Sequence, residues 1–134
     1  MIKENDLAVS GESGMQAIVQ LLSTMDVNDC GAFLELEVTS EKDAIVAATT
    51  WKQRQDEEQV PQLVLMLDNF GPERSKEMVR ELTEMGLRDA AVLEASGNIV
   101  FEDLEAWREC GVDVLSTRAI NRGTAPLDVS MLID

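Results

Sequence analysis

The sequence predicts an α/β fold: a partial (β/α) barrel with parallel strands alternating with helices. Three observations predict it. Leu63 to Leu67 is an unbroken apolar run ending in Asp68-Asn69-Phe70, and Ala90 to Leu93 is another, ending in Glu94-Ala95-Ser96-Gly97. Runs of this length suit strands buried on both faces, as in parallel sheets. Between them Met78, Val79, Leu82 and Met85 recur at helical spacing, with Pro72 fitted to the first turn and Gly86 to the stop. Parallel neighbours need such a crossover. Finally, no GxGxxG follows the first strand, the links are short, and polar residues come after strand upon strand. That favours a piece of a barrel over a doubly wound sheet. Only about four strands are legible, and a closed barrel needs about eight. Chemistry in such folds gathers at the carboxyl ends of the strands, so Asp68, Asn69, Glu94, Ser96 and Gly97 are the first candidates.

In chain order, Met1-Ile2-Lys3-Glu4-Asn5-Asp6 is a polar opening with no strand in front of it. Ser13, bracketed by Gly11 and Gly14, can cap a helix whose inner side carries Met15, Ile18, Val19, Leu21 and Leu22. Asp26 to Gly31 reads as a turn. Ala32 to Val38 alternates as a strand does, with Glu35 and Glu37 opposite Leu34, Leu36 and Val38. Ser40 caps the next helix, bearing Ala44, Ile45, Ala47, Ala48 and Trp51, and Lys52 to Pro61 extends it before looping. Beyond the central strand–helix–strand unit, Phe101, Leu104 and Trp107 repeat at helical spacing up to Cys110-Gly111. Val112 to Leu115 is a further short strand, Ser116 to Ala125 is irregular, and Leu127 to Ile133 alternates like a last strand. Trp51, Trp107 and the methionines at helical spacing read as core or interface residues.

Composition narrows the function. A chain of 134 residues suits one domain with a single core, and an apolar share of 45% is that of a globular protein. The apolar runs are far too short to span a membrane, and no charged-then-apolar leader opens the chain, so the expectation is a cytoplasmic protein. Cys30 and Cys110 form no CxxC or Cys/His pair and read as small buried thiols. Histidine is absent, which removes a Ser-His-Asp triad, the usual zinc sites and a histidine general base. The net charge of −15 argues against nucleic acid as a partner. Apart from Asp56-Glu57-Glu58 the acid is spread along the chain, so it reads as solvated surface, with adaptation to a high-salt cytoplasm as the alternative.

Six short motifs then come in a specific order: Met1-Ile2-Lys3-Glu4-Asn5, Glu35-Leu36-Glu37-Val38, Leu67-Asp68-Asn69-Phe70, Leu93-Glu94-Ala95-Ser96-Gly97, Cys110-Gly111-Val112-Asp113 and Pro126-Leu127-Asp128-Val129-Ser130. Over nearly the whole chain this order resembles the quinolinate phosphoribosyltransferase family (nicotinate-nucleotide pyrophosphorylase, carboxylating). Its close relatives include the molybdenum-transport ModD-like proteins and type II nicotinate phosphoribosyltransferases. The resemblance implies the carboxyl half of an open α/β barrel, residues 1–134 being the C-terminal catalytic portion, without the preceding half-barrel and sandwich domain. It also implies a reaction: with Mg²⁺, quinolinate and phosphoribosyl pyrophosphate give nicotinate mononucleotide, pyrophosphate and CO₂, in NAD biosynthesis.

Carried over position by position, the resemblance makes Lys3, Glu37 and Asp68 catalytic, with Glu37 and Asp68 on the ribose and the metal. Ser96, Gly97 and Asn98 match the phosphate loop, and Thr117, Arg118 and Arg122 fall where the family places further phosphate contacts. Such a site needs carboxylates for ribose hydroxyls, metal and the cationic anomeric carbon, and N–H groups beside glycine for phosphate. The departures are specific. Asp6 replaces a histidine, Asn98 the second glycine of Ser-Gly-Gly, Arg118 a glycine and Arg122 a histidine, and the stretch from Lys52 to Gln62 is an insertion. The family's arginine cluster for quinolinate belongs to the half that is missing. Simpler readings stay open beside these: Asp68 as a turn cap, Glu37 on a solvated edge, Glu94 as a structural acid, Ser96-Gly97-Asn98 as a turn, and Arg118 and Arg122 as surface arginines. The function classes left are the phosphoribosyltransferase, a non-catalytic or partner-dependent half-barrel, and a ModD-like relative with another substrate. The expected partners are a small-molecule substrate and either a second copy of the chain or the missing N-terminal portion, with no membrane and no nucleic acid.

Overall fold

Each long strand buries every second residue. Leu34, Leu36 and Val38 are buried, as are Leu63, Leu65 and Leu67, and Ala91, Leu93 and Ala95, while the residues between them are only partly covered. In this computed structural model, which describes residues 1–3 and 14–122, they belong to β1 (Phe33–Val38), β2 (Gln62–Asp68) and β3 (Ala91–Ser96). A two-residue β4 (Val114–Leu115) follows. The four strands lie in the order β1-β2-β3-β4, every pair parallel, as the alternation of strands with helices requires.

The helices are α1 (Met15–Thr24), α2 (Glu41–Glu57), α3 (Gly71–Glu84) and the short α4 (Leu104–Trp107) and α5 (Ala119–Arg122). Ile18 and Leu22 of α1, Ala44, Ala47, Ala48 and Trp51 of α2, and Met78 and Leu82 of α3 form one core with the buried strand residues other than Ala95, which packs with Ile99, Trp107 and Cys110. The small alanines of α2 let that helix lie close against the sheet, and fully buried Trp51 fills the space beyond them. Its indole N–H donates to the Pro61 carbonyl at 3.1 Å, which ties the helix to the entry of β2. Ser40 caps α2: its Oγ accepts from the Asp43 N–H at 3.2 Å and donates to Asp43 Oδ2 at 2.6 Å. Arg54, further along, reaches back to the Leu22 and Met25 carbonyls at 2.9 and 3.0 Å and satisfies the end of α1.

Several expectations change. Burial of the strands on both faces does not occur. A barrel interior is dry only when strands close around it, and the described strands form an open sheet with its second face only partly covered. The opening residues do contribute to the sheet: Ile2 N donates to the Glu35 carbonyl at 2.8 Å and Glu37 N to the Ile2 carbonyl at 2.9 Å, a parallel bridge on the β1 edge. On α1, Met15 and Val19 are exposed and Ala17 is buried in their place, because the buried stripe is narrower than the apolar one. Met85 is exposed and Cys30 only partly buried, whereas Trp107, Met78 and Cys110 are core. The last ladder begins at Val114 rather than Val112, since Asp113 Oδ2 accepts from Leu93 N at 2.8 Å where a backbone carbonyl would otherwise serve. Ser13, the Glu4-Asn5-Asp6 segment and the strand expected over Leu127 to Ile133 lie outside the described residues.

Candidate functional site

Parallel register sorts the partly covered face into layers. Glu37 pairs with Met66 and Met66 with Glu94, so these three side chains share one level, with Asp68 and Ser96 paired one level nearer the carboxyl ends. Residues two apart on a strand share a face, so Glu37, Glu94, Asp68 and Ser96 all stand on the side away from the helices. Lys3, brought in by the Ile2 bridge, sits 3.1 Å from Glu37 Oε2. Glu37 is 17% exposed and Lys3 51%, so the carboxylate is fixed and the ammonium keeps much of its water. Glu94 accepts a hydrogen bond from the Ser116 hydroxyl, which spans β3 and the end of β4.

The carboxyl ends of β2 and β3, with the segment after β4, line an open hollow of about 630 Å³. Two facing turns form its floor. Asn69 (φ 57°) and Asn98 (φ 52°) are both left-handed, a conformation asparagine tolerates better than most residues, and Gly97 between them has φ 96°. Asn69 N donates to the Ser96 carbonyl at 2.9 Å, Asn98 Nδ2 to Asn69 Oδ1 at 3.1 Å, and Asn69 Nδ2 to Asp68 Oδ2 at 2.8 Å. A Cβ on Gly97 would lie 2.9 Å from Asn69 N and 2.6 Å from Asn69 Cγ, so only glycine admits this approach. Asp68 Oδ1 and the Ser96 hydroxyl make no hydrogen bond among the described residues.

Thr117 holds the opposite wall. Its hydroxyl donates to the Ile99 carbonyl and accepts from Ala119 N at 3.0 Å, so it braces the loop through bonds within the chain. Arg118 lines the hollow, is exposed, and makes no ion pair among the described residues. Asp68 and Arg118 are the only charged residues among those that line it, so this region is nearly neutral within a chain of net charge −15. Arg122 is the last residue of α5.

The structure thus brings Asp68, Ser96, Gly97, Asn98, Thr117 and Arg118 to one hollow and sets the Lys3–Glu37 pair beside it at the β1 edge. No group of three or more His, Cys, Asp or Glu side chains among the described residues is placed to cage a metal. Glu37 is engaged by Lys3, and Asp68 has one oxygen without a hydrogen bond among the described residues. Sequence reasoning missed Ser116, whose signal was the same one that found Asp68: a polar residue directly after an apolar strand.

Comparison with known proteins identifies the family of this chain. Residues 1–132 match the family described as quinolinate phosphoribosyl transferase, C-terminal domain. The probable nicotinate-nucleotide pyrophosphorylase [carboxylating] of Archaeoglobus fulgidus is 33% identical over 133 residues, covering 99% of this chain and 45% of that protein. Its counterpart from Methanothermobacter thermautotrophicus is 31% identical over 135 residues, covering 99% of this chain and 43% of its own length. This chain therefore spans less than half the length of these curated relatives. The crystal structure of a NadC deletion mutant in a cubic space group superposes with a TM-score of 0.66 at 24% identity, over 96% of this chain and 38% of that one, and shares the fold. With parallel strands, polar strand ends and a family match along almost its entire length, the chain belongs to the quinolinate phosphoribosyl transferase C-terminal domain family.

Proposed function

We propose that this chain supplies the phosphoribosyl-binding half of a cytoplasmic nicotinate-nucleotide pyrophosphorylase (carboxylating) that serves NAD biosynthesis, and that the other half must be provided for turnover. The observation that carries this is the hollow where Asp68, the Gly97-Asn98 turn and Arg118 meet. In this reading the C1–oxygen bond to pyrophosphate breaks, a bond from the quinolinate ring nitrogen to C1 forms, and the ring loses one carboxylate as CO₂, the electron pair left on that ring carbon taking up a proton from solvent. Asp68 and Glu37 hold the ribose hydroxyls and offset the positive charge that builds at C1 as pyrophosphate departs. Lys3 holds Glu37 in place. Ser96, Gly97 and Asn98 receive the 5′-phosphate through hydroxyl, amide and backbone N–H donors, and Arg118, with Arg122, adds cationic contacts. Mg²⁺, when bound, would neutralise pyrophosphate oxygens beside Asp68, with Glu37 as its other carboxylate neighbour. Thr117 braces this loop rather than donating to phosphate.

Quinolinate is a dianion, and a chain of net charge −15 attracts it only where fixed cations reverse the local sign. One exposed arginine in the hollow does not make a clamp for two carboxylates, which is why the acceptor's grip is assigned to the other half. Calorimetric titration with phosphoribosyl pyrophosphate and Mg²⁺ tests the assignment. Weak binding, weakened further but still measurable in variants of Asp68 and of Arg118, is expected, with nicotinate mononucleotide released only when the amino-terminal half is supplied. Steady turnover by the purified chain would overturn the division of labour. Affinity unaffected by both substitutions would overturn the site. A ModD-like change of acceptor is the second reading, favoured by Arg118 at the family's glycine position, and competition between quinolinate and other ring acids in the completed protein separates the two.

A further inference from the structure

The side chain of Asn69 touches both halves of the hollow, and the proposed chemistry gives it no role. Its Nδ2 donates to Asp68 Oδ2 at 2.8 Å, and its Oδ1 accepts from Asn98 Nδ2 at 3.1 Å. Its backbone N–H is bonded to the Ser96 carbonyl at 2.9 Å, so the residue is fixed at three points across two strand ends. Gly97 lacks the Cβ that would push this amide away. The partly covered carboxylate of Asp68 has its Oδ2 held by this one donor, and its Oδ1 has no partner among the described residues. Without Nδ2 the Asp68 side chain could turn about its Cα–Cβ bond into another rotamer and carry its oxygens away from a ligand.

We propose that Asn69 is a positioning residue: one amide sets the rotamer of Asp68 and, through its other end, holds the phosphate-side turn at Asn98 in register with it. The proposal rests on the phosphoribosyl reading of this hollow. An asparagine suits the task because its amide carries a donor and an acceptor on one rigid plane and its backbone accepts φ 57°. Aspartate there would lose the donor and set a second negative charge against Asp68. Leucine or alanine would lose both bonds and keep the strained backbone. Hydrogen-bonded partners of metal- and substrate-binding carboxylates typically change affinity or activity by about 10–100-fold when removed.

A double-mutant cycle tests this, with Mg²⁺–phosphoribosyl pyrophosphate as the probe and thermal melts to verify folding. Asn69→Ala should weaken binding at least about tenfold in the native background and change little further in the Asp68→Ala background, where no carboxylate is left to position, because the two act as one unit. Asn69→Gly, which keeps the left-handed backbone without strain, should give the same pattern if the alanine variant fails to fold. Equal losses in both backgrounds, or no loss in either, would overturn the proposal, since a purely structural brace acts independently of Asp68. A second measurement needs no ligand: NMR side-chain couplings should show Asp68 in one χ1 rotamer in the native chain and averaged in Asn69→Gly. If native protein ignores the probe while this rotamer change is seen, the phosphoribosyl reading falls and the positioning role stands. An Asp68 rotamer identical in both proteins would overturn the positioning role.

Discussion

Gly97 and Asp113 show how single residues set this site and its support. At Gly97 any side chain would meet Asn69 at its backbone and amide carbon while being held at φ 96°. Gly97→Ala should therefore lower stability by about 1–3 kcal/mol, readable as a fall in the thermal midpoint, and should weaken phosphoribosyl binding beyond that. Asp113 acts from beneath. Burial pushes its carboxyl up, but hydrogen bonds from the Arg88 guanidinium at 2.7 Å and from the Leu93 N–H outweigh this and hold it below the usual carboxylate range. A depressed folded-state value means the stabilisation is present above the unfolded carboxylate range, near pH 4, and is lost as pH falls through the folded value. Acid titration of thermal midpoints should show a steeper loss below about pH 4 in the native protein than in Asp113→Asn, whose midpoint should already be lower at pH 7. Much of the site at this scale was legible in sequence, because polar residues stood directly after apolar runs at Asp68, Ser96 and Gly97. The bonds among them were not. Asn69 and Asn98 gain their partners from turns whose left-handed geometry has no periodic signature, and Thr117 is spent on the Ile99 carbonyl in an irregular segment that has none either.

At the scale of the element, α2 has the clearest causal chain. Ser40 accepts from Asp43 N, the helix then runs through close-packed alanines to Trp51, and Arg54 carries it on to cap the end of α1. Removing the cap in Ser40→Ala should cost about 1 kcal/mol, seen as a lower denaturant midpoint at unchanged slope. Helical spacing predicted α2 and α3 well because their apolar residues face a single surface. Strand burial was predicted less well. An uninterrupted apolar run such as Leu63 to Leu67 says that both faces avoid water, but not whether the second face is covered within this chain. The Ile2 bridge was invisible for a different reason: one residue pairing through its backbone leaves no pattern in side chains.

Across the whole molecule, an open parallel sheet of four strands carries a partly covered face bearing Val64, Met66 and Val92 among the carboxylates, and ends in a β4 of only two residues. Among the described residues, apolar surface that is only partly covered and the short β4 edge favour association, while the net charge of −15 opposes contact between copies. Sedimentation should therefore find the purified chain mostly dispersed at low salt and progressively self-associated as salt screens the repulsion. A monodisperse, cooperatively melting monomer at every ionic strength would show that this face needs no cover.

The position of β2 has a consequence for how the protein opens. Its seven residues are bonded along both flanks, to β1 and to β3, and Leu63, Leu65 and Leu67 are completely buried. Its amides can meet solvent only when a neighbour has left first, whereas β4 is joined to β3 through two residue pairs. Deuterium uptake should consequently run in a fixed sequence: residues 114–122 within the earliest time points, then the Ile2 edge, then β3 and β1, with β2 exchanging last and only by global unfolding. Asp68 sits at the end of the last segment to loosen, so in this order its carboxylate stays anchored to the sheet after the amides around Thr117 and Arg118 have exchanged.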